Sequence, residues 1–267
     1  MESTSKVAIV TGGSRGIGRA IALRLAARGM HVVVAARSMT GPRYGEELGA
    51  ATVPDEIIAM GRQSLAFEGD LCERSTCKAL IERTLAAFGR IDVLVNNAGG
   101  ALTPIERSMA SVVPDEDFEL LLQLNLMSTV YCCQEALPSM RERRAGSIVN
   151  ISSRAGLDPS QRQGRLAAYG VAKTGAIQYS RFLAADVGPD NIRVNCVAPG
   201  AIATARIVQS AQARGISTDA DLQGIPLRRF GSADEVASVV EFFASDASAY
   251  VTGQCLSVCG GTVLTPS

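Results

Sequence analysis

The stretch KVAIVTGGSRGIGRAIALRLAARG, residues 6–29, decides the fold. A short β-branched run, Lys6 to Val10, leads into the loop TGGSRGIG at 11–18. A helix over about Gly16 to Arg28 follows, with Gly29 as its stop. Gly12, Gly16 and Gly18 are spaced GxxxGxG, not GxGxxG. The physics of the two spacings is shared. Glycine allows a tight turn and a close approach of backbone to a phosphate at a helix N-terminus. Between a first strand and a first helix, such a loop suits the pyrophosphate of a dinucleotide.

Working outward, the same alternation continues. Strands are expected at Val32–Ala36, Ser64–Glu68, Asp92–Val95, Ser147–Ile151, Arg193–Val197 and Gln254–Val258. Helices are expected near Pro54–Gly61, over Glu73–Phe88, over Pro114–Met140 as one long element or two, and over Leu166–Val187. Residues 38–53, with glycines and a proline, read as an inserted loop. The strands VVVAA, DVLV and SIVNI are continuous apolar runs, the pattern of strands covered on both faces. Strands alternating with helices imply parallel pairing through right-handed crossovers. The expectation is an α/β doubly wound parallel sheet of about seven strands with helices on both faces, one domain over 1–267.

Composition narrows the function. The chain has 267 residues, 47% of them hydrophobic, and its 26 basic and 26 acidic residues cancel. No basic stripe invites a nucleic acid. The densest basic stretch, Arg141 to Arg144, reads as a solvated helix end. Seven cysteines without a CxxC pair, and the single imidazole of His31, make neither a zinc site nor a disulfide framework. Cys132, Cys133 and Cys196 read as small core residues, and a reducing compartment is expected. The N-terminus MESTSKVAIV is no secretory signal, and no apolar run reaches membrane-span length. A cytoplasmic protein with no membrane partner is expected.

The end of the second strand reads Ala35-Ala36-Arg37-Ser38. A site for NAD usually carries a carboxylate there, which binds the ribose hydroxyls and repels a 2′-phosphate. Here two guanidiniums, Arg37 and Arg15 of the glycine loop, stand in its place and favour NADP(H).

Tyr169 and Lys173 sit four apart in AAYGVAKTGAIQYSRFL, so phenol and ammonium share one helix face. A phenol, with a reference pKa near 10, is a poor acid-base group at neutral pH unless a cation stabilises its anion. NISS lies just upstream.

With these residues in view the chain resembles the short-chain dehydrogenase/reductase family, over essentially its whole length and in the single-domain branch. The matching motifs are TGGSRGIG at 11–18, NNAG at 96–99, Asn125 in QLNL, Ser153 in SIVNISS, YGVAK at 169–173 and Pro199-Gly200. The resemblance implies a Tyr169 that donates a proton to a carbonyl oxygen. It implies a Lys173 that lowers the phenol pKa and holds the nicotinamide ribose, and a Ser153 that hydrogen-bonds the carbonyl, with Ser152 as rival for that place. It implies an Asn125 that holds a proton-relaying water. Cofactor contacts are implied at Gly12, Ser14, Arg15, Gly16, Ile17, Gly18, Arg37, Asp70, Leu71, Asn97, Ala98, Gly99, Pro199, Gly200, Ile202 and Thr204. A substrate lid over 203–226 is implied, with Leu157, Gln163 and Ala201 shaping the pocket. So is a homotetramer joined through the helices of Asn125 and Tyr169 and the C-terminal segment, to which the apolar runs Val130–Cys133 and Tyr250–Val258 are suited.

Two features depart from the family pattern. Sixteen positions separate Ser153 from Tyr169, a few more than is common, and the excess falls in DPSQRQGR at 158–165. The 38–53 loop is long and lies near the expected 2′-phosphate. The substrate that the resemblance implies is a ketone or secondary alcohol, including a 3-oxoacyl thioester. The alternatives are an NAD-linked alcohol, sugar or steroid dehydrogenase, and a non-catalytic nucleotide-sensing scaffold. Relatives of that second kind typically lack the tyrosine or the lysine.

Overall fold

Ala8 and Val10 pack into one hydrophobic core and Ile9, between them, into another. That is why the strand is apolar throughout: successive side chains point to opposite sheet faces, and both faces are covered. Val32 and Val34 repeat the division against Val33, and Val93 and Val95 against Leu94. Each fully buried aliphatic side chain contributes about 1.5–3 kcal/mol, so neither face tolerates a polar break.

The structure is a computed structural model and describes residues 5–41, 46–158, 164–205, 207 and 222–264. Its strands are β1 (Val7–Thr11), β2 (His31–Ala36), β3 (Ser64–Glu68), β4 (Val93–Asn96), β5 (Gly146–Ile151), β6 (Ile192–Pro199) and β7 (Cys255–Val258). They form one seven-stranded sheet in the order β3-β2-β1-β4-β5-β6-β7. Every pairing is parallel.

The helices are α1 (Gly16–Ala27), α2 (Val53–Ala59), α3 (Arg74–Phe88), α4 (Asp115–Leu122), α5 (Ser128–Arg143), α6 (Ala167–Val187) and α7 (Ala233–Ala244). Helices α1, α2 and α7 cover one face with Ile21, Leu25, Ile57, Val236, Val240 and Phe243. Helices α3, α5 and α6 cover the other with Leu80, Ile81, Leu137, Met140, Leu183 and Val187. Cys132, Cys133 and Cys196 are buried core residues, and all seven cysteines are free thiols.

Three points correct the sequence expectation. Helix α7 was not foreseen, although Ser232 and Glu235 form a reciprocal capping box at its start. The segment over Pro114–Met140 is neither one α-helix nor two separate ones: α4 passes into α5 through a π-helical turn at Gln123–Met127. The basic end of α5 is not simply solvated. Arg143 donates to Asp92 Oδ1 at 2.6 Å and to the Ile91 carbonyl at 3.0 Å, tying α5 to the start of β4. Among the described residues, no helix is long and apolar enough to cross a membrane.

Candidate active site

The sheet order reverses between β1 and β4, and the crevice at the carboxyl ends of such strands is where open α/β sheets bind ligands. A cleft of about 940 Å³ opens there. Thr11, the last residue of β1, holds its two walls together. Its Oγ1 accepts from the N–H groups of Asn97 and Ala98, both at 3.0 Å. The Asn97 amide returns the link, donating to the Thr11 and Gly12 carbonyls at 3.0 and 3.1 Å. Asn97 therefore braces the two loops with its side chain. Behind the turn, a Cβ on Gly18 would lie 2.1 Å from the Gly12 carbonyl oxygen, so only glycine lets α1 start this close to β1. The glycine loop and the 97–100 loop thus form a cradle that side chains would fill, and this fits a dinucleotide.

Helix α6 brings Tyr169 and Lys173 to the cleft. The Lys173 ammonium is 5.8 Å from the Tyr169 ring centroid. It donates to the Ile151 carbonyl at 2.8 Å, and the residue is 3% exposed. Burial pushes its pKa down to about 8, against a smaller upward pull from Cys196. An amine on the edge of titration stands beside a phenol.

The two serines separate cleanly. Ser152 is buried and its hydroxyl donates to the Lys173 carbonyl at 2.8 Å, fixing α6 against β5. Ser153 accepts from the Ala155 N–H at 3.2 Å, which leaves its own hydroxyl proton to donate into the cleft. We expect Ser153→Ala to lower kcat by about 10²-fold with an unchanged melting temperature. We expect Ser152→Ala to lose stability, by about 1 kcal/mol for the missing bond. Parallel kinetics and thermal melts check both.

Asn125 lies in the π-helical turn, fully buried, and does not line the cleft. Its Oδ1 accepts from the Gly100 N–H at 2.8 Å, and its Nδ2 donates to the Gly100 and Leu121 carbonyls at 3.1 and 3.0 Å. The side chain is thus engaged with backbone on both of its polar atoms. The wider π turn supplies the room. Gly99, with φ +145°, answers it: a Cβ there would sit 2.5 Å from Asn125 Oδ1 and 3.3 Å from Lys173 Nζ. Asn125, Gly99 and Lys173 are one packed unit.

At the far end, Ser14, Arg15, Gly16, Ile17, Arg37, Asp70 and Leu71 all line the cleft. β2 ends at Ala36 and is followed by Arg37, with no carboxylate at either position. The 38–53 insertion supplies one that the sequence did not reveal. Glu46 Oε2 accepts from the Gly16 N–H at 2.9 Å.

Pro199 at the end of β6, with Gly200, Ile202 and Thr204 after it, lines the other end, where the Gly200 N–H donates to the Val258 carbonyl at 2.9 Å. Ala201 joins them, with Leu102, Ile105, Leu166, Ile225 and Phe230, an apolar group that no motif marked. Leu157, expected at the pocket, packs instead toward the core of Ile177, Cys196 and Ala198. Arg154 lines the cleft, whereas Arg165 is exposed outside it. Arg162, Gln163 and most of the expected lid, residues 206 and 208–221, lie outside the described residues.

Comparison with known proteins agrees with this geometry. A family described as enoyl-(acyl carrier protein) reductase matches residues 12–263. Cyclohexanol dehydrogenase of Rhodococcus sp. (strain TK6) is 40% identical over 261 residues, covering 96% of this chain and 95% of its own. The 3-oxoacyl-[acyl-carrier-protein] reductase of Synechocystis sp. is 39% identical over 265 residues, 98% of each chain. Among solved structures, YwfH, an NADPH-dependent reductase involved in bacilysin biosynthesis, superposes with a TM-score of 0.86 at 27% identity. That match covers 98% of this chain and 99% of the other.

Proposed function

The chain belongs to the short-chain dehydrogenase/reductase family, and on that premise we propose that it uses NADP(H) to interconvert a ketone and a secondary alcohol. It is an oxidoreductase acting on CH–OH and C=O groups. The observation that carries the reading is the meeting of Tyr169, Lys173 and Ser153 in the cleft that also holds the glycine loop. A nicotinamide dinucleotide bound there supplies or accepts the hydride.

The chain's own residues do the rest. Tyr169 gives a proton to the carbonyl oxygen in reduction and takes it back in oxidation. Lys173, as the buried cation, favours the phenolate and orients the ribose. Ser153 donates to the carbonyl oxygen and fixes it in place. Asn125 acts through Gly99 and Gly100 as a positioning residue.

NADP(H) rests on Arg15 and Arg37 together with the missing carboxylate at the end of β2. The apolar end of the cleft suits an uncharged ketone carried on a hydrocarbon body. An alicyclic ketone and a 3-oxoacyl thioester both have that character, as the two relatives' names illustrate. Residues 203–226 act as the substrate lid of one domain spanning 1–267. Exposed Val171 and Phe182 on α6, with Tyr250, Leu256 and Leu264 near the C-terminus, suit a homotetramer. Seven free thiols suit the cytoplasm. Half of the run Val130–Cys133 is unavailable for assembly, since Cys132 and Cys133 are core.

A panel of ketones and alcohols followed by nicotinamide absorbance tests the reading. NADPH should exceed NADH in kcat/KM by about tenfold or more, and Arg37→Ala should erase most of that preference, as loss of a charge-assisted phosphate contact predicts. A wild-type preference for NADH would overturn the cofactor assignment.

A further inference from the structure

The first turn of α1 is short of caps. Arg15, at its N-cap position, makes no side-chain capping bond, and no acidic residue lies in the turn. The turn is nevertheless not left bare. Glu46, thirty residues along the chain, lays Oε2 on the Gly16 N–H at 2.9 Å. Its other oxygen is 3.4 Å from Arg19 Nη1, and Arg19 is itself held by Glu56 at 2.7 and 2.8 Å. The Glu46 side chain is only 17% exposed, so its charge is weakly screened by solvent. Gly16 and Glu46 both line the cleft, close to Arg15, Ser38 and Gly41.

A carboxylate thus occupies a donor at the positive end of α1, and a dinucleotide's phosphates need that same end. Two anions compete for one seat. We propose that Glu46 is a cofactor-specificity residue: it accepts from the Gly16 N–H that a phosphate would take, gives up that contact when a cofactor binds, and opposes the more highly charged NADPH more than NADH. Arg19 retains the displaced carboxylate, so its charge stays near and continues to act. Arg15 and Arg37 pull toward the 2′-phosphate while Glu46 pushes against it. The selectivity of the site is the difference between them. The inference rests on the reading that this cleft takes a nicotinamide dinucleotide, and the displacement applies to either cofactor.

Glu46→Gln removes the charge and keeps a group able to accept from Gly16. Binding of NADPH, NADH, adenosine 2′,5′-bisphosphate and AMP is measured by titration calorimetry on wild type and variant, at low and high salt. NADPH and the bisphosphate should bind about tenfold tighter to the variant, NADH and AMP less so, and the gain should shrink at high salt. Unchanged or weaker NADPH binding to a folded variant would overturn the proposal and mark Glu46 as a structural cap. If Glu46→Gln does not fold, hydrogen exchange of wild-type residues 46–50 decides. Faster exchange with NADPH supports displacement, and equal or slower exchange overturns it. Neither result depends on which cofactor wild type prefers, so failure here and failure of the NADP(H) assignment remain separate.

Discussion

Tyr169→Phe is expected to lower kcat by about 10³-fold while NADPH binds within about twofold of wild type. The substitution removes one oxygen and keeps the ring, which stands one helical turn from Lys173 with its centroid 5.8 Å from the ammonium. Packing and the cradle of backbone around Gly12 and Gly99 are untouched. What is lost is the phenolic hydroxyl at the cleft wall, the proposed proton donor. Stopped-flow reduction of a good ketone, with cofactor binding followed by fluorescence, separates the two effects. Activity near the wild-type level would take Tyr169 out of the chemistry.

Lys173→Met should abolish turnover and yet stabilise the protein at pH 7. The amine is buried, and desolvation lowers its pKa from 10.5 to about 8. Below pH 8 it is charged both folded and unfolded, and the folded state bears the full desolvation cost, on the order of 3 kcal/mol for that displacement. Between about 8 and 10.5 the folded amine is neutral while the unfolded one still carries its proton. In that window the unfolded state binds more protons, so wild-type stability rises with pH and the cost is relieved. Methionine fills the volume without the charge, and it loses the bond to Ile151, a loss of about 1 kcal/mol. Urea unfolding should therefore show the variant about 2 kcal/mol more stable at pH 7, with the advantage fading as pH rises from 8 to 10.5. A variant less stable at pH 7, by an amount that does not change with pH, would remove the buried charge as a source of strain. Such a balance is expected where function needs a group that folding would exclude.

Much of this was legible in the chain because it is local. The glycine loop sits between a strand and a helix in sequence as in space, and Tyr169 and Lys173 need only helical periodicity to share a face. Apolar strand runs announce a sheet covered on both sides. The misses have physical reasons too. Helix α7 is the exception, since it carries its own local signal: Ser232 and Glu235 form a capping box just ahead of the apolar positions Val236, Val240 and Phe243. The π turn at Asn125 has no local signature, since its hydrogen bonds to Gly100 come from the far side of the cleft. Ser152 and Ser153 differ only in which way the chain turns after β5. Glu46 reaches Gly16 across thirty residues, a contact that only the folded insertion makes.

The central step is the transfer of hydrogen from the dinucleotide to carbon. Incubating the enzyme with a ketone such as cyclohexanone and NADPH carrying deuterium at both C4 positions, then analysing the alcohol by mass spectrometry and NMR, measures that transfer. One deuterium on the carbinol carbon of each product molecule is the predicted result. A carbinol hydrogen drawn from solvent, with both deuteriums still on the cofactor, would contradict it, and so would no product from any ketone in the panel.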